Sequence, residues 1–206
     1  MKTSIKLCGF KYIEDIIFAT SLDINYLGMI FVKNAQRTIN LDTAIESVQI
    51  CKERGVKSVG VFLNQHPSEI ETILNYVDLD ILQLHGTENV EDYRVFEKDI
   101  IKTLHASKDL SLVGKDLDTN NLYYLLDTST NDLHGGTGTC FDWKILKDVP
   151  VEKLFVAGGL KPDNIIDLLS NYEPKCVDVS SGIENKPGHK DHDLMSDFVE
   201  KIRTYK

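Results

Sequence analysis

A closed (β/α)8 barrel is the fold class predicted by this 206-residue sequence. Three observations predict it. Short apolar runs rich in β-branched residues alternate eight times with longer, mostly amphipathic stretches, and strands separated by such crossovers must pair in parallel. Eight units at about 26 residues each suit a minimal barrel. The glycine-rich turns follow the last two runs, whereas an open doubly wound sheet, the competing architecture, carries its glycine-rich turn after the first strand. No low-complexity segment or Pro/Gly-rich linker divides the chain, so residues 1–206 read as one domain, its oligomeric state (monomer or homodimer) left open. A chain of this length buries roughly 70% of its unfolded surface and needs no disulfide or metal to fold.

Taken in order, the candidate strands are Ser4–Cys8, Tyr26–Val32, Ser58–Leu63, Ile81–His85, Ile100–His105, Leu122–Asp127, Lys153–Ala157 and Cys176–Val179. Helix-like segments fall at Tyr12–Thr20, Leu41–Arg54, Pro67–Tyr76, Val90–Phe96, Phe141–Leu146, Pro162–Asn171 and His192–Arg203, with a weaker helix or irregular turn at Lys108–Leu117. The segment from Leu41 carries Ala44, Ile45, Val48 and Cys51 near the i, i+3, i+4, i+7 spacing of one helix face. Asn40 stands at its N-cap and Gly55 at its C-terminal cap.

Composition removes several function classes. The formal net charge is −9 and no basic cluster interrupts it, which argues against a nucleic-acid partner. No apolar run approaches the ~18 residues of a membrane span, and the first residues lack a signal-peptide core, so a cytoplasmic protein is expected. Cys8, Cys51, Cys140 and Cys176 form no CxxC pair, which leaves a zinc site or disulfide framework little support, and most of them read as buried, reduced thiols, Cys8 being considered separately. A small anionic substrate remains open, because a few local donors hold a phosphate on an acidic protein.

In a barrel the reactive groups sit where strands end and βα loops begin. Gly158-Gly159 closes the seventh strand ahead of a helix, and Ser180-Ser181-Gly182 closes the eighth. Glycine lets backbone N–H groups approach a ligand, and loops seven and eight are the usual phosphate-holding place in such barrels, so phosphate binding is favoured over plain tight turns. Cys8 ends strand one and Asp127 strand six; facing each other across the lumen, a thiolate and a carboxylic acid could move protons at two atoms of one substrate. Inert burial of the thiol and loop capping by the aspartate are the alternatives. Arg37, in the loop after strand two, could fork onto a carboxylate or phosphate, or lie solvated on the surface. His85 could contact substrate or bond its own loop; it has no spacing to suit a metal. His189 and His192 read as a loop leading into the last helix. Strand alternation adds that if Cys8 faces the lumen so does Lys6, and if Ser180 does so does Asp178. A lumenal lysine requires a partner. A Lys6–Asp178 pair is therefore expected, with Gln83 as a further candidate contact.

These residues resemble one family over nearly the whole chain. Lys6-Leu7-Cys8-Gly9, Gly28-Met29-Ile30-Phe31 followed by Arg37, Val59-Gly60-Val61-Phe62 and Gln83-Leu84-His85-Gly86 are similar to the first four strand ends of phosphoribosylanthranilate isomerases. Leu126-Asp127 with Gly135-Gly136-Thr137-Gly138 and Phe141-Asp142-Trp143 is similar to the sixth. Ala157-Gly158-Gly159-Leu160-x-Pro162-x-Asn164 is similar to the seventh, and Asp178-Val179-Ser180-Ser181-Gly182-Ile183-Glu184 with Pro187-Gly188-x-Lys190-Asp191 to the eighth. The resemblance implies an Amadori rearrangement of N-(5-phosphoribosyl)anthranilate in tryptophan biosynthesis, with no cofactor or metal. Carried over, Cys8 is the general base, Asp127 the general acid and Arg37 the holder of the anthranilate carboxylate. The Gly159 and Ser180–Gly182 loops hold the phosphate. The chain departs from the family's pattern at Ala35-Gln36, where a serine is usual, and at Phe10-Lys11. Indole-glycerol-phosphate synthase would require catalytic lysine and glutamate at strand ends, and a histidine-pathway isomerase two aspartates where Cys8 and His105 stand. A catalytically silent, metabolite-binding barrel is the alternative from another class.

Overall fold

Strands and crossovers alternate around a closed ring in a computed structural model of the protein, which describes residues 2–105, 121–127 and 143–205. The strands are β1 (Ser4–Cys8), β2 (Tyr26–Ile30), β3 (Lys57–Phe62), β4 (Ile81–Leu84), β5 (Asp99–His105), β6 (Leu122–Asp127), β7 (Leu154–Ala157) and β8 (Cys176–Val179). They pair in parallel in sequence order, and β8 closes on β1 with Lys6 opposite Asp178 and Leu7 opposite Val179. This is the barrel expected from the alternation of elements, and the open sheet is excluded.

The helices are α1 (Ile13–Ala19), α2 (Leu41–Glu53), α3 (Pro67–Leu74), α4 (Ile165–Asn171) and α5 (His192–Thr204). Asn40 caps α2 by accepting from the Thr43 N–H at 2.9 Å. At its other end Gly55 has φ 69°, its N–H bonds the Lys52 carbonyl, and the Val56 N–H bonds that of Cys51. That is the paired closure of a Schellman motif, which requires a left-handed residue at Gly55. Asp191 caps α5, accepting from the N–H groups of Asp193 and Leu194.

Several expected boundaries move by a residue or more, and two segments change character. Val90–Phe96 winds as a 3-10 helix; its two valines and two aromatics lose side-chain freedom in an α-helix and favour it weakly. The segment expected at Phe141–Leu146 is described only from Trp143, as a 3-10 turn to Asp148. α4 begins at Ile165 rather than Pro162, because Asn164 spends its side chain on the preceding loop. Lys108–Leu117, Gly135–Gly138 and Cys140 lie outside the described residues. A short hairpin, β9 (Glu184–Lys186) with β10 (His189–Lys190), follows β8 and turns at Pro187-Gly188, where Gly188 has φ 79°. Among the described residues no helix is long and apolar enough to cross a membrane.

Alternation along the strands creates two cores. Ile5, Leu7, Leu27, Met29, Leu82, Leu84, Leu126, Val156 and Val177 point outward and pack with helix residues such as Ile16, Ala44, Ile70, Leu168 and Phe198. Val59, Ile81, Ile101, Leu125, Phe155, Ala157 and Cys176 form a separate lumenal cluster, with Tyr26 and Tyr123 packed against it.

Into this apolar lumen β1 sends a charge. Lys6 is fully buried, and its Nζ donates to Asp178 Oδ2 at 2.8 Å, as the alternation argument anticipated. Burial works against the charged amine, but Asp178 and then Cys8 outweigh it, and the lysine titrates above its ordinary range. Gln83 is not part of the pair: its amide reaches Thr103 Oγ1 and His85 Nδ1, both at 3.4 Å. Lys6→Met leaves Asp178 buried without its cation, and stability is expected to fall by about 3–5 kcal/mol. Lys6→Met with Asp178→Leu, which removes both charges, recovers most of that loss. Urea unfolding midpoints at constant slope measure both variants.

Candidate active site

The carboxyl ends of the strands gather the polar residues. Cys8 ends β1, is buried, and lies opposite Gly28 in the β1–β2 register. A Cβ on Gly28 would stand 2.5 Å from Cys8 Sγ, so the absent side chain makes the room the thiol occupies. Burial raises the thiol above its ordinary titration range; Lys6 pulls it back, Asp178 adds to the rise, and Lys190 again favours the thiolate. Cys8, Cys51 and Cys176 are all free and buried, as expected for reduced thiols.

Asp127 ends β6 and pairs in register with Ala157 of β7, which pairs with Asp178 of β8, which pairs with Lys6. One lateral row of the barrel thus connects the aspartate to the buried ion pair, and Cys8 stands two residues beyond Lys6. Through β7 and β8, three strand steps separate the ends of β6 and β1. His85 Nε2 lies 3.9 Å from Asp127 Oδ2, while its Nδ1 meets Thr103 Oγ1 at 3.1 Å. Its ring sits edge-on to that of His105, centroids 5.8 Å apart. Burial pulls His85 below its ordinary titration range, against the attraction of Asp127, which keeps the imidazole neutral near pH 7.

The loops after β7 and β8 meet. Gly158 and Gly159 hold φ 98° and 66°, left-handed geometry that favours glycine. Asn164 pins this loop, accepting from the Lys161 N–H and donating to the Gly159 carbonyl, each at 2.9 Å. Ser180 precedes a 3-10 turn over Ser181–Ile183, and a Cβ on Gly182 would run into the Leu160 carbonyl oxygen. The two glycine loops therefore touch backbone to backbone. Backbone N–H groups of glycine loops and of a tight 3-10 turn are the kind of donor that can hold an anion.

Arg37 is not a solvated surface residue. Its Nε and Nη2 donate to the two oxygens of Glu184 at 2.8 and 2.7 Å, a bidentate fork that leaves the Nη1 edge as the one a second carboxylate would meet. That bonding also raises the guanidinium's pKa. A Cβ on Gly9, whose φ is 82°, would stand 2.8 Å from both Arg37 Cδ and Ser180 Oγ. The arginine, the end of β1 and the loop after β8 thus converge on a residue without a side chain.

Sequence reasoning assigned no role to Glu184 or Lys190, beyond including them in the resemblance. A local signal was available. Pro187-Gly188 is a turn signature, and a hairpin folded there would bring Lys190 close to Asn185 and Glu184. The observed register pairs Lys190 with Glu184 through a one-residue irregularity after the His189–Lys186 pair. The histidines also hold more than a loop: His192 Nε2 meets Asp15 Oδ1 at 3.0 Å and His189 Nε2 meets the Tyr12 hydroxyl at 3.3 Å, fastening the hairpin and α5 to α1.

Comparison with known proteins accords with this geometry. The family model described as N-(5'phosphoribosyl)anthranilate (PRA) isomerase matches residues 5–201. N-(5'-phosphoribosyl)anthranilate isomerases of Legionella pneumophila (strain Paris) and Caldanaerobacter subterraneus subsp. tengcongensis are 36% and 35% identical. The alignments cover 96% of both chains in the first and 97% of both in the second. Among solved structures, phosphoribosyl anthranilate isomerase of Thermotoga maritima superposes with a TM-score of 0.83 at 30% identity, over 98% of this chain and all of that one. A phosphoribosyl anthranilate isomerase in complex with reduced 1-(o-carboxyphenylamino)-1-deoxyribulose 5-phosphate superposes with a TM-score of 0.80 at 30% identity, over the same shares. The chain belongs to the N-(5'-phosphoribosyl)anthranilate isomerase family.

Proposed function

We propose that this barrel catalyses the Amadori rearrangement of N-(5-phosphoribosyl)anthranilate to 1-(2-carboxyphenylamino)-1-deoxyribulose 5-phosphate, in the cytoplasm and within one domain. The observation that carries the reading is the joining of an acidic and a thiol strand end by one lateral row, Asp127–Ala157–Asp178–Lys6 with Cys8 beyond it. It supports a reading with two proton-transfer groups, and the touching glycine loops after β7 and β8 support an anion site on the same rim.

In this reaction Asp127 donates a proton to the ring oxygen as the C1–O bond of the furanose breaks, and the nitrogen lone pair forms the C1=N bond. The Cys8 thiolate removes the proton from C2, and the electrons of that C–H bond form C1=C2 while the C=N pair returns to nitrogen. The enolamine then loses its hydroxyl proton and gains one at C1, giving the ketone. No net oxidation occurs. The Gly158-Gly159 and Ser180–Gly182 loops hold the phosphate and Arg37 the anthranilate carboxylate. A substrate held at both ends keeps C2 and the ring oxygen beside their respective groups. Asp178 and His85 are the further contacts, the first beside Cys8 and the second beside Asp127. A silent metabolite-binding barrel would have no need of a thiol kept near two cations.

Turnover is followed by the decay of substrate fluorescence. Cys8→Ser and Asp127→Asn are each expected to lower kcat by roughly 10²–10⁴-fold with folding unchanged. Binding without turnover by the unaltered protein would sink the isomerase reading in favour of the silent barrel.

Because burial raises the thiol, most Cys8 is protonated at neutral pH and the thiolate fraction grows with alkalinity. The rate of Cys8 alkylation by iodoacetamide, which reads the thiolate alone, should therefore rise with pH through the neutral range, with a midpoint on the alkaline side of an ordinary thiol. An alkylation midpoint well below pH 8 would show that burial does not govern the thiol.

Gly28→Ala places a methyl against Cys8 Sγ. A displacement of about 1 Å at the base is expected to reduce kcat roughly 10²-fold, with a much smaller effect on KM. Steady-state kinetics of the folded variant separate the two parameters.

A further inference from the structure

Lys190 is a buried cation outside the residues given roles above. Its ammonium donates to the Cys8 carbonyl at 2.6 Å, the Ser180 carbonyl at 3.0 Å and Glu184 Oε1 at 2.9 Å. An ammonium has three N–H donors, and here three acceptors meet them. The Phe10 ring closes another side, 5.2 Å from Nζ to its centroid. Glu184 is in turn divided: Oε1 accepts from Lys190 and Arg37 Nε, and Oε2 from Arg37 Nη2. The Lys190 main chain is held as well, its N–H donating to the buried Asp15 at 3.3 Å.

We propose that Lys190, with Glu184, is a positioning residue for the reaction. Its single ammonium sets the end of β1 that carries Cys8, the loop after β8 that carries Ser180 and, through Glu184, the guanidinium of Arg37. The assignment rests on the acid–base reading above and deepens it. Each of the three segments serves a different part of the substrate: the proton at C2, the phosphate and the aromatic carboxylate. Tying all three to one point fixes their mutual distances, on which near-attack geometry depends. The location also has an electrostatic effect, since the cation favours the Cys8 thiolate against burial. Glu184 itself is held below the ordinary carboxylate range, because the arginine and lysine outweigh its burial. An arginine cannot replace Lys190, since a planar fork does not aim three donors from one compact centre.

A merely structural cross-link would change stability and leave the chemistry of the folded fraction alone, and the test is chosen to separate the two. Lys190→Met, Lys190→Arg and Glu184→Gln are compared with the unaltered protein in kcat, KM and the pH dependence of Cys8 alkylation by iodoacetamide, followed by peptide mass. Per folded molecule, Lys190→Met should lose roughly 10²-fold in kcat/KM, and its alkylation midpoint should move to higher pH. Glu184→Gln should raise KM more than it lowers kcat, through loss of Arg37 orientation, and its alkylation midpoint should not move up. Lys190→Arg keeps the charge, and with it the alkylation profile, but loses kcat/KM. Should Lys190→Met not fold, Lys190→Arg carries the test. Unaltered kinetics and alkylation in folded Lys190→Met, or unaltered kinetics in Lys190→Arg, overturn the proposal. If the unaltered protein does not turn over phosphoribosylanthranilate, the isomerase reading fails. Alkylation then still decides whether Lys190 governs Cys8: an upward shift in Lys190→Met sustains that link and an unmoved midpoint overturns it.

Discussion

A barrel that closes β8 on β1 has to bury whatever those two strands turn inward, and here they turn inward a lysine and an aspartate. The 2.8 Å contact between Lys6 and Asp178 lies across the seam that makes the ring a ring, since the two residues are register partners there. A buried pair of this kind adds little net stability over an apolar pair, yet breaking it is expensive. Its consequence is therefore specificity of closure: a one-residue slip of β8 against β1 would turn one of the charges out into the apolar layer beneath the helices. The same pair sets the surroundings of Cys8, two residues along β1, where Lys6 favours the thiolate and Asp178 opposes it.

Above that seam the site is made of space as much as of groups. Gly28 leaves room for the Cys8 thiol, Gly9 lets Arg37 and Ser180 approach the end of β1, and Gly182 lets the loop after β8 lie on the Leu160 carbonyl. At Gly182 a side chain would meet backbone, which cannot move aside; at Gly28 and Gly9 it would press first on the side chains of Cys8, Arg37 and Ser180 themselves. The converging segments are then held by polar contacts: Asn164 across the loop after β7, and Glu184 with Lys190 from the hairpin after β8. Close approach at these points, together with the polar contacts, restricts the positions the converging side chains can take.

How much of this the sequence displays depends on the range of the interaction. Strand order, the cap at Asn40, the closure at Gly55 and the lumenal pairing of Lys6 with Asp178 were all legible, since each follows from a local pattern or from strand alternation around a closed ring. Gln83 was misassigned to that pair for a physical reason. Alternation says which side chains face the lumen but not which neighbour a flexible amide takes, and Thr103 and His85 on its own side are nearer. Arg37 could not be told from a surface arginine, because its partner Glu184 is 147 residues away in the chain. The helix expected from Pro162 was shortened by a side chain: Asn164 bonds the Gly159 carbonyl, and the loop keeps residues that propensity alone gives to the helix.

The chain as a whole is acidic, with a formal net charge of −9, yet the described part of the site is divided in sign. Lys6, Arg37 and Lys190 all influence the environment of Cys8 or of each other on the β1–β8 side. On the β4–β6 side, His85 beside Asp127 is kept neutral by burial and presents a dipole rather than a full charge. The difference suits two proton transfers that run in opposite directions. A base that must exist as an anion profits from fixed cations, and the burial that hinders its ionisation also strengthens their field. A group that must donate a proton is better served by a neighbour without charge, since a cation there would oppose its carrying that proton. On the proposed reading, a phosphate and a carboxylate bound in the site would add negative charge that works against the thiolate, and Lys6 and Lys190, which both favour the Cys8 thiolate, are the groups that would offset it.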